Sequence, residues 1–293
     1  MQIDDLRIYV AVIHAGNFSA AAEQLMLSKQ YVSRRMAALE AALGTRLLNR
    51  NTRKLSVTEN GLLFAHHAQR ILDDVQEAEL AVSGRHQALQ GNFRLSVPMS
   101  FGITHLSPYI AEFLTLHPGL QFQVELADRH VDMVGEGFDM AIRIGTLPDS
   151  SLIARRLVEF RRLICGSPAY LQGAGAPETP AELSLHRCLR YGRESQQGWE
   201  LFRDGQRSVV AVQGPMVSNN GEMLRDAAIA GLGLILLPEF IVAPALASGE
   251  LIRVLDAWQP ASLHLNALYP QHRQRSEIHR QFIAFLQQKL AAQ

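Results

Sequence analysis

A short segment near the N-terminus concentrates side chains that could neutralise a polyanion. Between Ser28 and Lys54, the basic residues are Lys29, Arg34, Arg35, Arg46, Arg50, Arg53 and Lys54. Glu40 is the only acidic residue in the same stretch. The whole chain, by contrast, has 28 basic and 28 acidic residues, so its formal net charge is zero. A local positive patch on a neutral protein is typical of a small module that contacts phosphate groups.

The pattern around this segment predicts a helix that presents those side chains. Ser28 is the expected N-cap, and Gly44 is expected to end the helix in the C′ position. Apolar residues at spacings of three and four predict a buried stripe formed by Val32, Met36, Leu39 and Leu43. The opposite face then exposes residue types that contact base edges and phosphates, namely Lys29, Gln30, Ser33 and Arg34.

Two elements must precede this helix and one must follow it. Leu6, Val10 and Ile13 recur at helical spacing in a first helix, and Ser19 is the expected N-cap of a second, alanine-rich helix. After Gly44, two short runs flank residues 51–54 and predict a β-hairpin, or wing. Its basic residues suit the minor groove of DNA or the adjacent phosphates; they are Arg50, Arg53 and Lys54.

A long helix is predicted beyond the wing, with Thr58 as its N-cap. Its apolar positions step by three and four: Leu62, Ala65, Ala68, Leu72, Val75, Ala78 and Val82. Because a small domain offers such a helix few neighbours, we expect the stripe to pair with the same helix of a second copy.

Residues 1 to about 88 resemble the DNA-binding module of LysR-type transcriptional regulators. The resemblance rests on these residues: Ala15-Gly16-Asn17-Phe18-Ser19, Ala21-Ala22, Leu25, Ser28, Val32-Ser33-Arg34, Leu39-Glu40, Leu43-Gly44, Leu47-Leu48, Arg50, Arg53 and Thr58-Glu59-Asn60-Gly61. It implies a winged helix-turn-helix, a dimerising linker helix, a C-terminal effector-binding domain and a homotetramer. Lys29, Gln30 and Tyr31 depart from the family pattern, so no base preference is carried over. Together these features place the DNA contacts at Ser28, Lys29, Gln30, Tyr31, Ser33, Arg34, Arg50, Arg53 and Lys54.

The rest of the chain alternates strand and helix patterns. Strands at residues 93–97, 121–126 and 139–144, with helices near residues 103–114 and 131–135, predict a β-α-β-α-β order. Similar units follow, and Ser276–Leu290 is an amphipathic final helix. We therefore expect a multi-domain α/β protein: an all-α winged helix-turn-helix (residues 1–60), a linker helix (58–89) and a two-lobed, periplasmic-binding-protein-like domain (91–293). Lobe I would comprise about 91–160 and 267–293, and lobe II about 161–266.

A small molecule is expected between the lobes, at strand ends and helix N-termini. Because free N–H groups and the helix dipole favour negative charge there, an anionic effector is preferred. The candidate contacts are Met99, Ser100, Phe101, Arg143, Ser218, Asn219 and Asn220. Each has an alternative: Ser100 or Asn219 could act only as a helix cap, and Arg143 could pair with Asp139 or Asp128.

No motif predicts catalysis, a bound metal or a cofactor. Gly231-Leu232-Gly233 lacks the third glycine of a dinucleotide fingerprint, and the adjacent His66 and His67 cannot share a metal on one helix face. Cys165 and Cys188 lie in apolar strand patterns that favour inert packing over a redox role. The sequence therefore favours a cytoplasmic, DNA-binding regulator without membrane contact. A transport solute-binding module and an enzyme are the alternatives.

Overall fold

The computed structural model describes residues 1–51, 54–82, 89–133, 135–145, 147, 150–192 and 198–291. These residues form two compact units, Met1–Asn92 and Phe93–Gln293. Among the described residues, no helix combines the length and apolar character that crossing a bilayer requires. The first unit is helical with one hairpin and the second is mixed α/β, as the sequence predicted.

The described residues of the first unit form four helices and a two-stranded hairpin. In chain order they are α1 (Ile3–Ala15), α2 (Phe18–Gln24), α3 (Lys29–Leu43), β1 (Leu48–Asn51), β2 (Lys54–Val57) and α4 (Glu59–Val82). The predicted caps of α3 are confirmed, because Ser28 accepts a hydrogen bond from the Tyr31 amide and Gly44 has a φ of 65°. The predicted cap of α2 is wrong. Asn17, two residues before Ser19, accepts the Ala20 amide at 2.8 Å and starts the helix.

The core of the first unit forms where α1, α2 and α3 meet. Val32, Met36 and Leu39 are buried as predicted, but Leu43 is 36% exposed. The chain reverses at Gly44, and Leu47 and Leu48 fill the core instead.

The sequence predicts that the apolar stripe of α4 pairs with the same helix of a second copy. In the structure, part of that stripe packs inside its own unit instead. Ala68 is fully buried in the core of its own unit, and Ala65 and Leu72 pack against that core. Leu62, which belongs to the same predicted stripe, is instead 62% exposed. The stripe is divided because α1 lies against the first half of α4 and covers one of its faces.

The second unit contains two five-stranded sheets. The first has the order β4-β3-β5-β15-β6, with β3 and β5 parallel and β15 antiparallel to both β5 and β6. The strands are β3 (Gln90–Val97), β4 (Gly119–Leu126), β5 (Met140–Ile144), β6 (Leu152–Phe160) and β15 (Leu263–Pro270). Its helices are α5 (Met99–Phe101), which continues through a π-helical turn (Gly102–Leu106) into α6 (Ser107–Leu116), and α10 (Glu277–Ala291), which follows a 3-10 turn (Gln271–Arg275).

The second sheet has the order β11-β8-β12-β7-β13, and a small sheet, β10-β9-β14, accompanies it. The strands are β7 (Arg162–Gly166), β8 (Cys188–Tyr191), β9 (Trp199–Arg203), β10 (Gln206–Val210), β11 (Val217–Ser218), β12 (Leu234–Pro238), β13 (Ile252–Val254) and β14 (Gln259–Pro260). The helices are α7 (Pro168–Ala174), a 3-10 helix (Pro180–Leu185), α8 (Gly221–Ile229) and α9 (Glu239–Ala247).

Two sequence predictions for this unit need correction. The segment at residues 131–135 forms no helix among its described residues, because the Asp132 carboxylate accepts the Gly135 amide at 2.9 Å in a side-chain turn. The second prediction placed residues 263–266 in lobe II. They belong to β15 of the first sheet, where Leu265 pairs with Ile144 and Val158.

Candidate nucleic-acid interface and ligand cleft

The N-terminal end of α3 exposes most of the predicted DNA contacts. Ser28, Lys29, Gln30 and Arg34 are exposed, Tyr31 is 37% exposed and Ser33 is half-buried. The Arg34 guanidinium lies 5.7 Å from the centre of the Tyr31 ring. Because the buried residues of α3 lie on its other face, this end presents a cation, an amide and hydroxyl groups together. These are the side-chain types that contact phosphates and base edges.

Arg34 and Arg35 are neighbours in sequence but differ in their surroundings. Arg35 forms an ion pair with the carboxylate of Asp5 and donates a hydrogen bond to Gln2 at 3.0 Å. Asp5 is only 5% exposed, so the pair ties α3 to the start of α1. Arg35 therefore stabilises the packing of α3 against α1, whereas Arg34 of the same helix is an exposed cation.

One side chain of α3 accepts two backbone amides at the start of the wing. Glu40 of α3 accepts the amides of Leu47 at 2.9 Å and Leu48 at 3.1 Å, where the hairpin begins. In β1 and β2, Arg50 pairs with Leu55 and Asn51 with Lys54. Arg53 lies outside the described residues, and only the backbone is described for Arg50 and Lys54.

Hydrogen bonds at the start of α4 connect this helix to the segment before the wing and to α1. The Thr58 hydroxyl accepts the Gly61 amide at 3.0 Å and donates to the carbonyl of Arg46 at 2.8 Å, confirming it as the cap. Tyr9 donates to the Gly61 carbonyl at 2.7 Å, and burial raises the pKa of its hydroxyl. A Cβ at Gly61 would collide with the carbonyl of Leu47. This contact explains why the sequence has glycine there.

In the second unit, the segment after β3 meets α8 of the second sheet. Ser100 is 9% exposed, and its hydroxyl donates a hydrogen bond to the carboxylate of Glu222 in α8. The Met99 amide donates to the Asp128 carboxylate at 3.0 Å, and the Met99 sulfur lies 3.8 Å from the side-chain nitrogen of Asn220. Ser100, Met99 and Asn220 therefore meet at one junction between elements of the two sheets, as a ligand cleft would require.

Phe101 does not fit its predicted role as a ligand contact. It is fully buried and stacks on His105 at 5.0 Å between ring centres, with Phe160 at 5.2 Å and Phe240 at 5.4 Å. Burial lowers the pKa of His105 in this cluster. Phe101 was singled out by its position after a strand, but its apolar ring serves the packing beneath the junction.

Arg143 is half-buried beside the same junction. It donates to the Ser96 hydroxyl at 2.8 Å and to the carbonyl of Arg129 at 3.3 Å. Of its two predicted carboxylate partners, Asp139 instead pairs with Arg273 at 3.3 Å. Asp128 acts on Arg143 through charge, and burial lowers the pKa of the Arg143 guanidinium.

The second predicted ligand segment contains the cap of α8. Asn220 accepts the Met223 amide at 2.9 Å, so Asn220 rather than Asn219 is the N-cap. Asn219 is exposed, and the Ser218 hydroxyl accepts the Asn220 amide at 3.1 Å. Ser218 and Asn220 therefore shape the first turn of α8, where Glu222 also lies.

Two residues of the junction, Tyr191 and Glu222, were not predicted from the sequence, and Asp128 was predicted only as a possible partner of Arg143. Burial raises the pKa of Asp128, and the charge of Glu222 raises it further, whereas the Met99 amide and Arg143 lower it. Burial, Asp128 and Glu222 raise the pKa of Tyr191 to about 12. Their positions carried a signal. Asp128 follows β4, Tyr191 ends β8, and Glu222 is in the first turn of α8.

The cysteines fit the predicted packing role. Cys165 and Cys188 are both fully buried, in two different core clusters, and burial raises the pKa of each thiol to about 12. A thiol protonated at neutral pH is a poor nucleophile. Within the described ranges, no cluster of three His, Cys, Asp or Glu side chains could hold a metal ion.

Two family models match the chain, one for each part. The model of the bacterial regulatory helix-turn-helix protein of the lysR family matches residues 3–62, and the LysR substrate binding domain matches residues 86–291. Solved structures agree over the full length. The LysR-type regulator CrgA of Neisseria meningitidis is 31% identical, with a TM-score of 0.61 and 99% coverage of both chains. The virulence activator AphB of Vibrio cholerae is 28% identical, with a TM-score of 0.60 and 98% coverage of both.

Relatives of known sequence are also similar over most of their length. An HTH-type transcriptional regulator of Haemophilus influenzae is 37% identical over 93% of this chain and 95% of its own. One of Xanthomonas campestris pv. campestris is 36% identical over 98% and 85%, and the activator TtdR of Escherichia coli K12 is 36% identical over 96% and 91%. These matches confirm the prediction that the chain is a transcriptional regulator rather than an enzyme. The chain belongs to the LysR family of transcriptional regulators, with a DNA-binding helix-turn-helix and an effector-binding domain.

Proposed function

We propose that the exposed end of α3 lies in the major groove of a promoter and that Lys29, Gln30 and Arg34 make its specific contacts. Ser28, Tyr31 and Ser33 would contact the phosphates or the groove wall beside them. The wing residues Arg50, Arg53 and Lys54 would hold the flanking backbone. The observation that carries this proposal is the exposure of Lys29, Gln30 and Arg34 on α3 while Arg35 is committed to Asp5.

The protein is proposed to bind DNA as a homodimer through α4. Leu63, Ile71 and Ala78 are exposed on that helix, and its 3.6-residue repeat places them within about 80° of one another. An apolar strip of this kind suits pairing with the same helix of a second copy. Two dimers would form the tetramer that the resemblance implies. A promoter-binding protein works where the chromosome is, so the proposed location is the cytoplasm.

The effector is proposed to bind at the junction of the two sheets, among Met99, Ser100, Arg143, Ser218 and Asn220. Asp128, Tyr191 and Glu222 join this set because each is coupled to it by a hydrogen bond or by charge. Asn219 is proposed only as part of the rim, since it is exposed and does not cap α8. Binding between the lobes would alter how the two sheets meet, and the DNA-binding units would respond.

A gel shift with the full-length protein tests the DNA-binding proposal. The probe is a duplex from immediately upstream of the protein's own coding sequence, and a shuffled duplex of equal length and composition is the control. We expect the upstream duplex to bind at least 100-fold more tightly, with an affinity that falls steeply as salt is raised. Equal affinity for the two duplexes at each salt concentration would count against specific recognition there.

A further inference from the structure

The hydrogen bond between Ser100 and Glu222 joins the two halves of the effector domain. Ser100 follows β3 of the first sheet, whereas Glu222 belongs to α8, which packs on the second sheet. The two residues are 122 positions apart in the sequence. Because Ser100 is 9% exposed, the donor end of this partly buried bond is shielded from competition with water.

Two donors at the start of the segment after β3 are already satisfied by carboxylates of the chain itself. Asp128 accepts the Met99 amide at 3.0 Å, and Glu222 accepts the Ser100 hydroxyl. The two acids repel each other, and this repulsion contributes to the raised pKa of Asp128. Glu222 is held despite the repulsion, since it accepts from Ser100 and lies in the first turn of α8, where the helix dipole favours negative charge.

We propose that Glu222 is an internal latch that holds the cleft closed through Ser100 until an effector displaces it. This inference rests on the proposed function only in taking the junction as the effector site. An effector that reaches the Ser100 hydroxyl must then replace a carboxylate, so it must itself accept a hydrogen bond there. Opening would separate α8 from the segment after β3, while the aromatic cluster of Phe101, Phe160 and Phe240 stays beneath as the pivot.

Amide hydrogen exchange on the full-length protein without added ligand tests the latch. Glu222→Gln keeps the shape of the side chain but removes its charge, and Ser100→Ala removes the donor. A charge-assisted hydrogen bond is roughly twice as strong as a neutral one. We therefore expect exchange of the amides at residues 99–106 and 221–224 to rise about tenfold in Ser100→Ala, which removes the bond, and by a smaller factor in Glu222→Gln, which keeps a neutral acceptor. The double variant should rise no further than Ser100→Ala, because both changes act on the same bond.

Glu239→Gln is the matched control, since Glu239 is an exposed first-turn glutamate of α9. It should leave exchange at residues 99–106 unchanged. Exchange in Glu222→Gln equal to that of the wild type would overturn the latch, as would rises in the two single variants that add in the double. A gel shift with the same variants reports on the proposed function separately. A wild-type protein that binds no upstream duplex would refute that function and leave the exchange result standing.

Discussion

The two candidate sites differ in how far the protein has already satisfied its own polar groups. At the end of α3, Lys29, Gln30 and Arg34 are exposed to solvent. At the junction in the effector domain, Ser100 is bonded to Glu222, and Arg143 is bonded to Ser96. A DNA surface can remain open because phosphates supply the missing partners on contact. A buried cleft cannot, since unpaired polar groups inside a protein cost free energy. Binding of DNA therefore adds contacts to side chains that are exposed, whereas binding of an effector must replace contacts that the protein already makes.

Of the substitutions that test this difference, Arg34→Ala should have the largest effect, and the quantity it changes is the affinity for DNA. Arg34→Ala is expected to lower the affinity for the upstream duplex roughly 5-fold to 150-fold, because a specific arginine contact contributes about 1–3 kcal/mol. Fluorescence anisotropy with a labelled duplex measures the affinity. Arg7→Ala is the control, since Arg7 is an exposed arginine of α1 that pairs with Asp4. Equal affinities for both variants would remove Arg34 from the interface.

Arg35→Ala should instead destabilise the protein. It leaves the carboxylate of Asp5, which is 5% exposed, without its cationic partner, at an expected cost of about 1–3 kcal/mol. Urea unfolding of the first unit measures the loss, and Arg34→Ala and Arg7→Ala should each stay within about 0.5 kcal/mol of wild type. Equal losses of stability in Arg34→Ala and Arg35→Ala would contradict the assignment of Arg35 to the fold and of Arg34 to the DNA surface.

Salt dependence sharpens the same contrast. Each phosphate contact that a substitution removes should reduce the slope of log affinity against log salt by about one. We expect a reduction of this size for Lys54→Ala, because the wing is proposed to hold the flanking backbone, and a smaller one for Lys29→Ala, because Lys29 is proposed to contact a base edge. Anisotropy titrations between low and moderate salt measure the slope. Glu222→Gln, a change in the effector domain, should leave the slope unchanged.

The smallest effect is expected at Asp128. Its raised pKa means that the native state disfavours the charged carboxylate, so the charge costs stability at neutral pH. That cost disappears as the pH falls through the raised pKa and below the ordinary aspartate value. Asp128→Asn keeps an oxygen for the Met99 amide and should slightly raise the thermal midpoint at pH 7. The difference from wild type should vanish in acid. A variant that is less stable at pH 7 would contradict the burial argument.

Much of the first unit could be predicted because its signals are local. Ser28 and Gly44 bound α3 through contacts within one helical turn, and Val32, Met36 and Leu39 follow the helical repeat into the core. The errors occurred where a neighbouring segment decided the outcome. Leu43 was displaced from the core by Leu47 and Leu48, which lie beyond a chain reversal. The cap of α2 is an exception, because the error there is local: the Asn17 side chain accepts the Ala20 amide, so the helix begins two residues earlier than predicted.

Less of the effector domain could be predicted from the sequence. Its strand and helix order was largely recovered, but Tyr191 and Glu222 were missed, and Phe101 was assigned to a ligand when it is core. The burial of a residue after a strand depends on which helix of the other sheet covers it. Here Phe240 of α9 covers Phe101, while Glu222 of α8 reaches Ser100. No periodicity in the sequence records that arrangement.

The sequence by itself determined that this protein has a basic helix-turn-helix, a wing and an α/β body, because caps, periodicity and local charge are set within a few residues. The tertiary structure alone decided which of two adjacent arginines is exposed and which carboxylate meets Ser100. Those outcomes depend on Asp5 and Glu222, which lie 30 and 122 positions from their partners. Chain segments so far apart meet only when the packed cores bring them together, so no local pattern encodes the contact.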